Sequence, residues 1–302
     1  MHKKHIYGVS LIVALCAAWF FTDRGVDEQQ LLKKYYIDFD DSMQTHNFPQ
    51  RLDRPLDKRF YDVFKQMYEK NHPEKILPVK TEKTKIPKII HQIWLGSPFP
   101  EKYRAFQESW KAQHPDWEYR LWTDKELAHF PMYNRNLFDA SCNYGEKSDI
   151  ARYEILYKMG GLYVDTDYEC LQPLDILHHA YDFFIGIQPF DTSCVQLGIG
   201  LIGARPGHPL LGSCLENLQR NCMQQQQIIL RTGPLYFTQI FELVAPRLQD
   251  ATVAFPASFF YPRAYYQSAE EKDEWLCPES FAVHHWEASW TKPEAFVQPA
   301  IR

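Results

Sequence analysis

The sequence predicts an α/β fold built around a central mixed sheet flanked by helices. Three observations carry that prediction. Short apolar runs alternate with longer segments of helical periodicity. A glycine pair, Gly160 and Gly161, separates one such helix from one such strand. At 302 residues, 45% hydrophobic and 15% aromatic, the chain can bury a sizeable core, with one main domain of roughly 215 residues.

Taken in order, the chain opens MHKKH and then runs from Tyr7 to Phe21 without a formal charge. That is short for a bilayer span, which takes about 20 residues, yet long enough for a hydrophobic signal anchor. Residues 1–21 are therefore expected to form a cytosolic tip and signal anchor. Lys3 and Lys4 on the inner side would put the rest across the membrane, in a Golgi-like lumen if the source is eukaryotic. Absence of any N-x-[ST] sequon weakens that last assignment. Residues 22–85 are polar and charged, with a helical piece from Arg59 to Lys70, and read as a stem or accessory helical segment. Residues 86–302 read as the main domain.

Within that domain, strands are expected at Ile89–Trp94, Tyr119–Trp122, Leu162–Val164, Phe183–Ile187 and Gly198–Ile202. Helices are expected over Lys102–Gln113, Ser148–Met159 and His208–Cys222. In the second helix a turn of about 100° per residue groups Glu154 with Lys158 as a solvated i,i+4 pair. It places Asp149 and Arg152 on the opposite, apolar side. A charged pair there must be satisfied by each other, a ligand or a polar cleft.

After the glycine pair, Leu162, Tyr163 and Val164 lead to Asp165 and Asp167. Alternation along an extended chain would set both carboxylates on one side. Two oxygen ligands at that spacing suit a hard cation, Mn²⁺ or Mg²⁺ rather than zinc. No C-x-x-C pair occurs among the seven cysteines, so a structural zinc site is not expected. The net charge of -5 without a basic stripe argues against a nucleic-acid partner.

The segment from Lys147 to Cys170 resembles the sugar-binding region of glycosyltransferase family 32, the DXD-containing proteins that include mannosyltransferases acting on glycans and on inositol phosphoceramide. Five further stretches resemble that family in its order: IPKIIHQIWLG at 86–96, SWKAQHPDWEYRLWTD at 109–124, ARPGHP at 204–209, TGP at 232–234 and AVHHWEASW at 282–290. The resemblance implies that residues 86–302 are a catalytic domain with a GT-A type nucleotide-sugar-binding fold, and that it transfers a hexose (mannose, galactose or glucose) with retention. The donor would be a nucleotide-diphosphate sugar and the acceptor a glycan or lipid-linked group. By the same resemblance, Asp165, Asp167 and His284 would hold the metal, and Asp149 and Arg152 would join the two aspartates as catalytic residues. Donor contacts would come from His91, Gln92, Trp94, Asp149, Arg152, Gly161, Tyr163, Thr232, Gly233, Glu287, Ser289 and Trp290, with Trp286 beside the last three in the pocket wall. His91 and Trp94 also read as plain core residues, which periodicity does not separate from a nucleotide-binding edge.

Many relatives carry an asparagine shortly before the proline-glycine-histidine-proline turn, where this chain has Ile199 and Gly200. An amide contact to the sugar or acceptor is thus expected to be missing. Haloacid-type phosphatases also place a D-x-D after an apolar strand, but they need Thr or Val where this chain has Glu169. The other alternative is a noncatalytic glycan- or partner-binding protein on the same scaffold.

Overall fold

The computed structural model describes residues 32–44, 52, 54–78, 84–189, 194–267, 271–292 and 295–296. The expected anchor over Tyr7–Phe21 lies outside the described residues, among which no helix is long and apolar enough to cross a membrane. Five helices of ten residues or more are labelled with the strands in chain order. They are α1 (Pro55–Lys70), β1 (Ile89–Ile93), α2 (Arg104–Gln113), β2 (Glu118–Trp122), α3 (Tyr144–Met159), β3 (Gly161–Val164) and β4 (Tyr168–Cys170). There follow β5 (Phe183–Ile187), β6 (Leu197–Ala204), α4 (Pro209–Gln224), α5 (Pro234–Val244), β7 (Thr252–Phe255) and β8 (Ala282–His284).

Six strands form one mixed sheet in the order β2-β1-β3-β6-β5-β7, and β4 pairs with β8 in a separate ribbon. β2, β1 and β3 run parallel, β6 runs antiparallel to β3 and β5, and β7 is parallel to β5. The carboxyl ends of β1, β3, β5 and β7 therefore meet the amino end of β6 along one edge, where ligands of open α/β sheets usually bind. β6 carries extra residues relative to β5, because the register jumps between Ile185 and Gly186. Such a bulge re-aims the chain beside a site.

The helices pack as their sequences dictate. In α1, Pro55 opens the first turn and Phe60, Phe64, Met67 and Tyr68 make one buried stripe that lies on β7. The described part of residues 22–85 is thus built into the main core, together with Tyr35, Phe39 and Met43. α3 packs on β3 and β6 beneath α4, and α5 packs on β6. His208 caps α4, its side chain accepting from the Leu210 N–H, after a turn in which Gly207 has φ +66°.

α3 departs from expectation in two ways. It begins at Tyr144, four residues before Ser148, because the Asn143 side chain caps it by accepting from the N–H groups of Gly145 and Glu146. Glu154 is fully buried, not solvated beside Lys158: its carboxylate takes the backbone N–H groups of Tyr133 and Asn134 at 2.9 and 2.6 Å. Every residue of α3 from Asp149 to Leu156 is buried, so a surface pair read from periodicity fails there. Gly160 and Gly161 end it with φ of +63° and +104°, values that favour glycine at both positions.

Candidate active site

Where the strands end, a cleft of about 680 Å³ opens, lined among others by Trp94, Tyr103, Asp149, Arg152, Asp165, Asp167, Tyr261, His284 and Trp286. The chain leaves β3 into a turn, so Asp165 and Asp167 converge by turning rather than by strand alternation. The Asp165 N–H donates to Gly200 O at 2.7 Å, and Gln92 Nε2 donates to Asp165 O at 3.2 Å, which fixes the turn from both neighbouring strands.

Arg152 is the hub of the buried part. Its Nη2 lies 3.0 Å from Asp149 Oδ1, its Nη1 lies 3.2 Å from Asp165 Oδ1, and Nη1 also donates to Ile199 O at 2.8 Å. The guanidinium stacks 4.4 Å from the centroid of the Tyr163 ring, whose hydroxyl donates to Asp165 Oδ1 at 2.7 Å. Burial alone would favour a neutral group, but Asp165, Tyr163 and Asp149 outweigh it and hold Arg152 firmly protonated. Burial lifts Asp149 to about 7 against the opposing pull of Arg152 and of Thr232, whose hydroxyl donates to Asp149 Oδ2 at 2.9 Å.

Asp165, Asp167 and His284 each offer one ligand atom, and these atoms lie within 4.8 Å of one another. His284 reaches this cluster because β8 pairs with β4 in the register Tyr168↔His284. Its ring stacks on Tyr168 at 4.7 Å, with Nε2 3.2 Å from Asp167 Oδ2. Burial works against ionising either partner, but the pair interaction wins, lowering the Asp167 pKa and raising that of His284. The Glu287 N–H donates to Asp167 Oδ2 at 3.0 Å, and the His285 N–H to Asp167 O at 2.9 Å. His284 Nδ1 is buried without a hydrogen-bond partner.

Of the expected donor contacts, Trp94, Asp149, Arg152, Tyr163, Gly233 and Ser289 line the cleft. His91, Gln92 and Thr232, expected as donor contacts, are instead fully buried and off its wall. The His91 Nε2 bonds Gly160 O at 2.9 Å and its Nδ1 accepts from Trp122 Nε1 at 3.1 Å, with burial lowering its pKa to about 4. It is a core histidine. Gln92 accepts from the Tyr119 hydroxyl while bracing Asp165, and Thr232 braces Asp149. Gly161 also lies off the wall: a Cβ there would come 2.9 Å from His91 Nε2. Glu287 pairs with Lys102 at the mouth instead of lining the floor. The Trp290 side chain lies outside the described residues.

Sequence reading missed Tyr144, Tyr261, Gln188 and Gln196, all on the cleft wall. Trp286, expected from the 282–290 stretch, lines the cleft. Trp286 and Ala288 adopt φ of +57° and +45°, a left-handed kink that turns the carboxyl-terminal segment across the cleft.

Residues 100–184 match the family model of the glycosyltransferase sugar-binding region containing DXD motif. More particularly, the chain is similar to inositol phosphoceramide mannosyltransferase 3 of Schizosaccharomyces pombe, 32% identical over 219 residues that cover 67% of this chain and 60% of that protein. A mannosyl phosphorylinositol ceramide synthase of Saccharomyces cerevisiae is 32% identical over 165 residues, 52% of this chain and 42% of that protein. The chain thus spans between about two fifths and three fifths of the length of these two curated relatives. Among solved structures, the PaToxG glycosyltransferase aligns with a TM-score of 0.45 and 19% identity over 64% of this chain and 82% of that one.

Proposed function

We propose that the protein is a metal-dependent, retaining glycosyltransferase of GT-A type that moves a hexose from a nucleotide-diphosphate sugar to a glycan or glycolipid. The observation that supports this above all is the convergence of Asp165, Asp167 and His284 in a cleft beside a buried arginine. Two carboxylates and one imidazole form an oxygen and nitrogen donor set that fits Mn²⁺ or Mg²⁺. Bound there, the cation would act as a Lewis acid on the departing diphosphate.

The chain's own residues supply the rest. Arg152 is held protonated, with its planar fork fixed by Asp149, Asp165 and Tyr163, so it is already oriented toward phosphate or sugar oxygens. Asp149 faces the same cleft and suits sugar hydroxyls. Trp94, Tyr103 and Trp286 give aromatic faces for a base or a sugar ring and exclude water from the reacting centre. In this reading residues 86–302 are the catalytic domain, residues 22–85 its accessory layer and residues 1–21 a membrane anchor. Mannose from a GDP sugar onto an inositol-phosphate-bearing lipid is the first pairing to test, given the names of the relatives.

The full-length protein in detergent is assayed with a panel of UDP and GDP hexoses in Mn²⁺, without acceptor, for release of nucleoside diphosphate. Release from one donor, lost in chelator and in Asp165→Asn, supports the reading. A folded protein that neither hydrolyses nor binds any donor overturns it in favour of a noncatalytic binding protein.

A further inference from the structure

The cleft floor holds an amide pair that no motif marks. Gln188 follows β5 and Gln196 precedes β6, and both are buried, at 8% and 4% exposure, yet line the cleft. Gln196 Nε2 donates to Gln188 Oε1 at 2.7 Å, and the Gln188 N–H donates to Gln196 O at 3.0 Å, so each side chain is locked by the other. The anchor continues outward: the Val195 N–H donates to Asp57 Oδ1 at 2.9 Å, tying this corner to α1.

Beside the pair, β6 omits side chains. A Cβ built on Gly198 would lie 1.7 Å from the Tyr261 hydroxyl, and one on Gly200 would lie 2.7 Å from Asp165 Oδ2. No larger residue fits at either position unless Tyr261 or Asp165 moves. An asparagine of the kind many relatives carry therefore has no room at Gly200, and the nearby floor supplies two amides from Gln188 and Gln196 instead.

Within the pair, Gln188 spends its carbonyl on Gln196 and keeps both N–H donors for other partners, with the Tyr261 hydroxyl within reach. Buried, uncharged and pre-oriented amides suit vicinal hydroxyl groups. A site that hydrogen-bonds a hydroxyl rejects ligands that lack it. We propose that Gln188 and Gln196 form the subsite that reads the hydroxyls of the donor hexose and so determine which sugar is accepted. This rests on the donor-binding reading given above.

The test separates sugar recognition from nucleotide recognition. By calorimetry in Mn²⁺, the full-length wild-type protein is titrated with UDP, GDP, UDP-galactose, UDP-glucose and GDP-mannose, and Gln188→Leu and Gln196→Leu follow with the same ligands. The expected result is that each variant keeps its affinity for the nucleoside diphosphate within about 2-fold while losing about 10-fold for the nucleotide sugar. Equal losses for both ligands, or no loss for the sugar, overturn the proposal. Where a leucine variant does not melt cooperatively, Gln188→Glu decides, since it preserves an acceptor for Gln196 and replaces the two N–H donors by an ionisable oxygen, while the nucleoside diphosphate titrated alongside reports any effect of the added charge. Wild type that binds no nucleotide sugar refutes the donor-binding reading itself and the subsite with it, a failure visible before any variant is made.

Discussion

The two edges of the central sheet carry similar residues in opposite states. At the amino ends of β5 and β7, Lys85 and Arg205 face Asp182, and Arg205 and His208 face Asp250, at 2.8 to 3.4 Å. Backbone and hydroxyl donors complete the set: the Ala251 N–H reaches Asp182 at 3.1 Å and the Thr252 hydroxyl reaches Asp250 at 2.6 Å. Two carboxylates meet two permanent cations there. At the cleft edge three carboxylates, Asp149, Asp165 and Asp167, meet one guanidinium, with His284 as an additional partner whose Nδ1 is left unpaired. The first edge gives each carboxylate a permanent cation of its own, whereas the second sets three carboxylates around one guanidinium beside a cavity. A cluster of ionisable groups is therefore not the mark of a site; an unbalanced one beside open space is.

The largest effect that tests this contrast is on Arg152. Arg152→Met leaves Asp149 and Asp165 without their shared cation, and loss of about 3–5 kcal/mol by urea unfolding is expected. A loss under 1 kcal/mol would mean that the carboxylates are not held together by Arg152. Next comes Asp167→Asn, expected to lower metal-dependent turnover by about 10²–10³-fold and, because it breaks the buried pair with His284, to cost about 1–3 kcal/mol of stability. In melting scans, millimolar Mn²⁺ should raise the midpoint of wild type and not of this variant, because only a ligand bound to the native state stabilises it.

The closed edge should respond the other way. Asp250→Asn is expected to cost about 1.5–3 kcal/mol at neutral pH and to leave turnover within about 2-fold. Burial would raise the Asp250 pKa, but His208, Thr252 and Arg205 hold it below the usual carboxylate range. Its stabilisation is thus present above the unfolded value near 4 and fades as pH falls through the lower folded value. Wild type and variant should accordingly converge in acid, and curves that stay parallel from pH 7 to pH 2 would exclude the pair as the cause. The smallest effect is expected at the cleft mouth, where Lys102→Ala breaks a half-exposed pair with Glu287 and should shift stability by less than about 1 kcal/mol.

Much of this was legible in the sequence, for physical reasons. β1, β3 and β5 are buried apolar runs bounded by helices or turns, and they fall where expected. Asp149 and Arg152 announced themselves as charges on an apolar helix face, and they do face each other. β4, β7 and β8 were not legible: they are three or four residues long, and the β4 pairing with β8 joins positions more than a hundred residues apart. His284 was reachable only through its resemblance to a family position. Tyr261, Gln188 and Gln196 carry no local signal, since what brings them together is the β6 bulge and the glycines beneath Tyr261.

The hydrogen bond from Val195 to Asp57 has a consequence for modularity. The signature region spans residues 100–184, yet the cleft floor is moored through that bond to a helix that starts at Pro55. A chimera that transplanted the signature alone would carry the DXD pair without the corner beside it. The unit that can be exchanged between relatives therefore begins well upstream of the conspicuous motif, at the helical layer on β7.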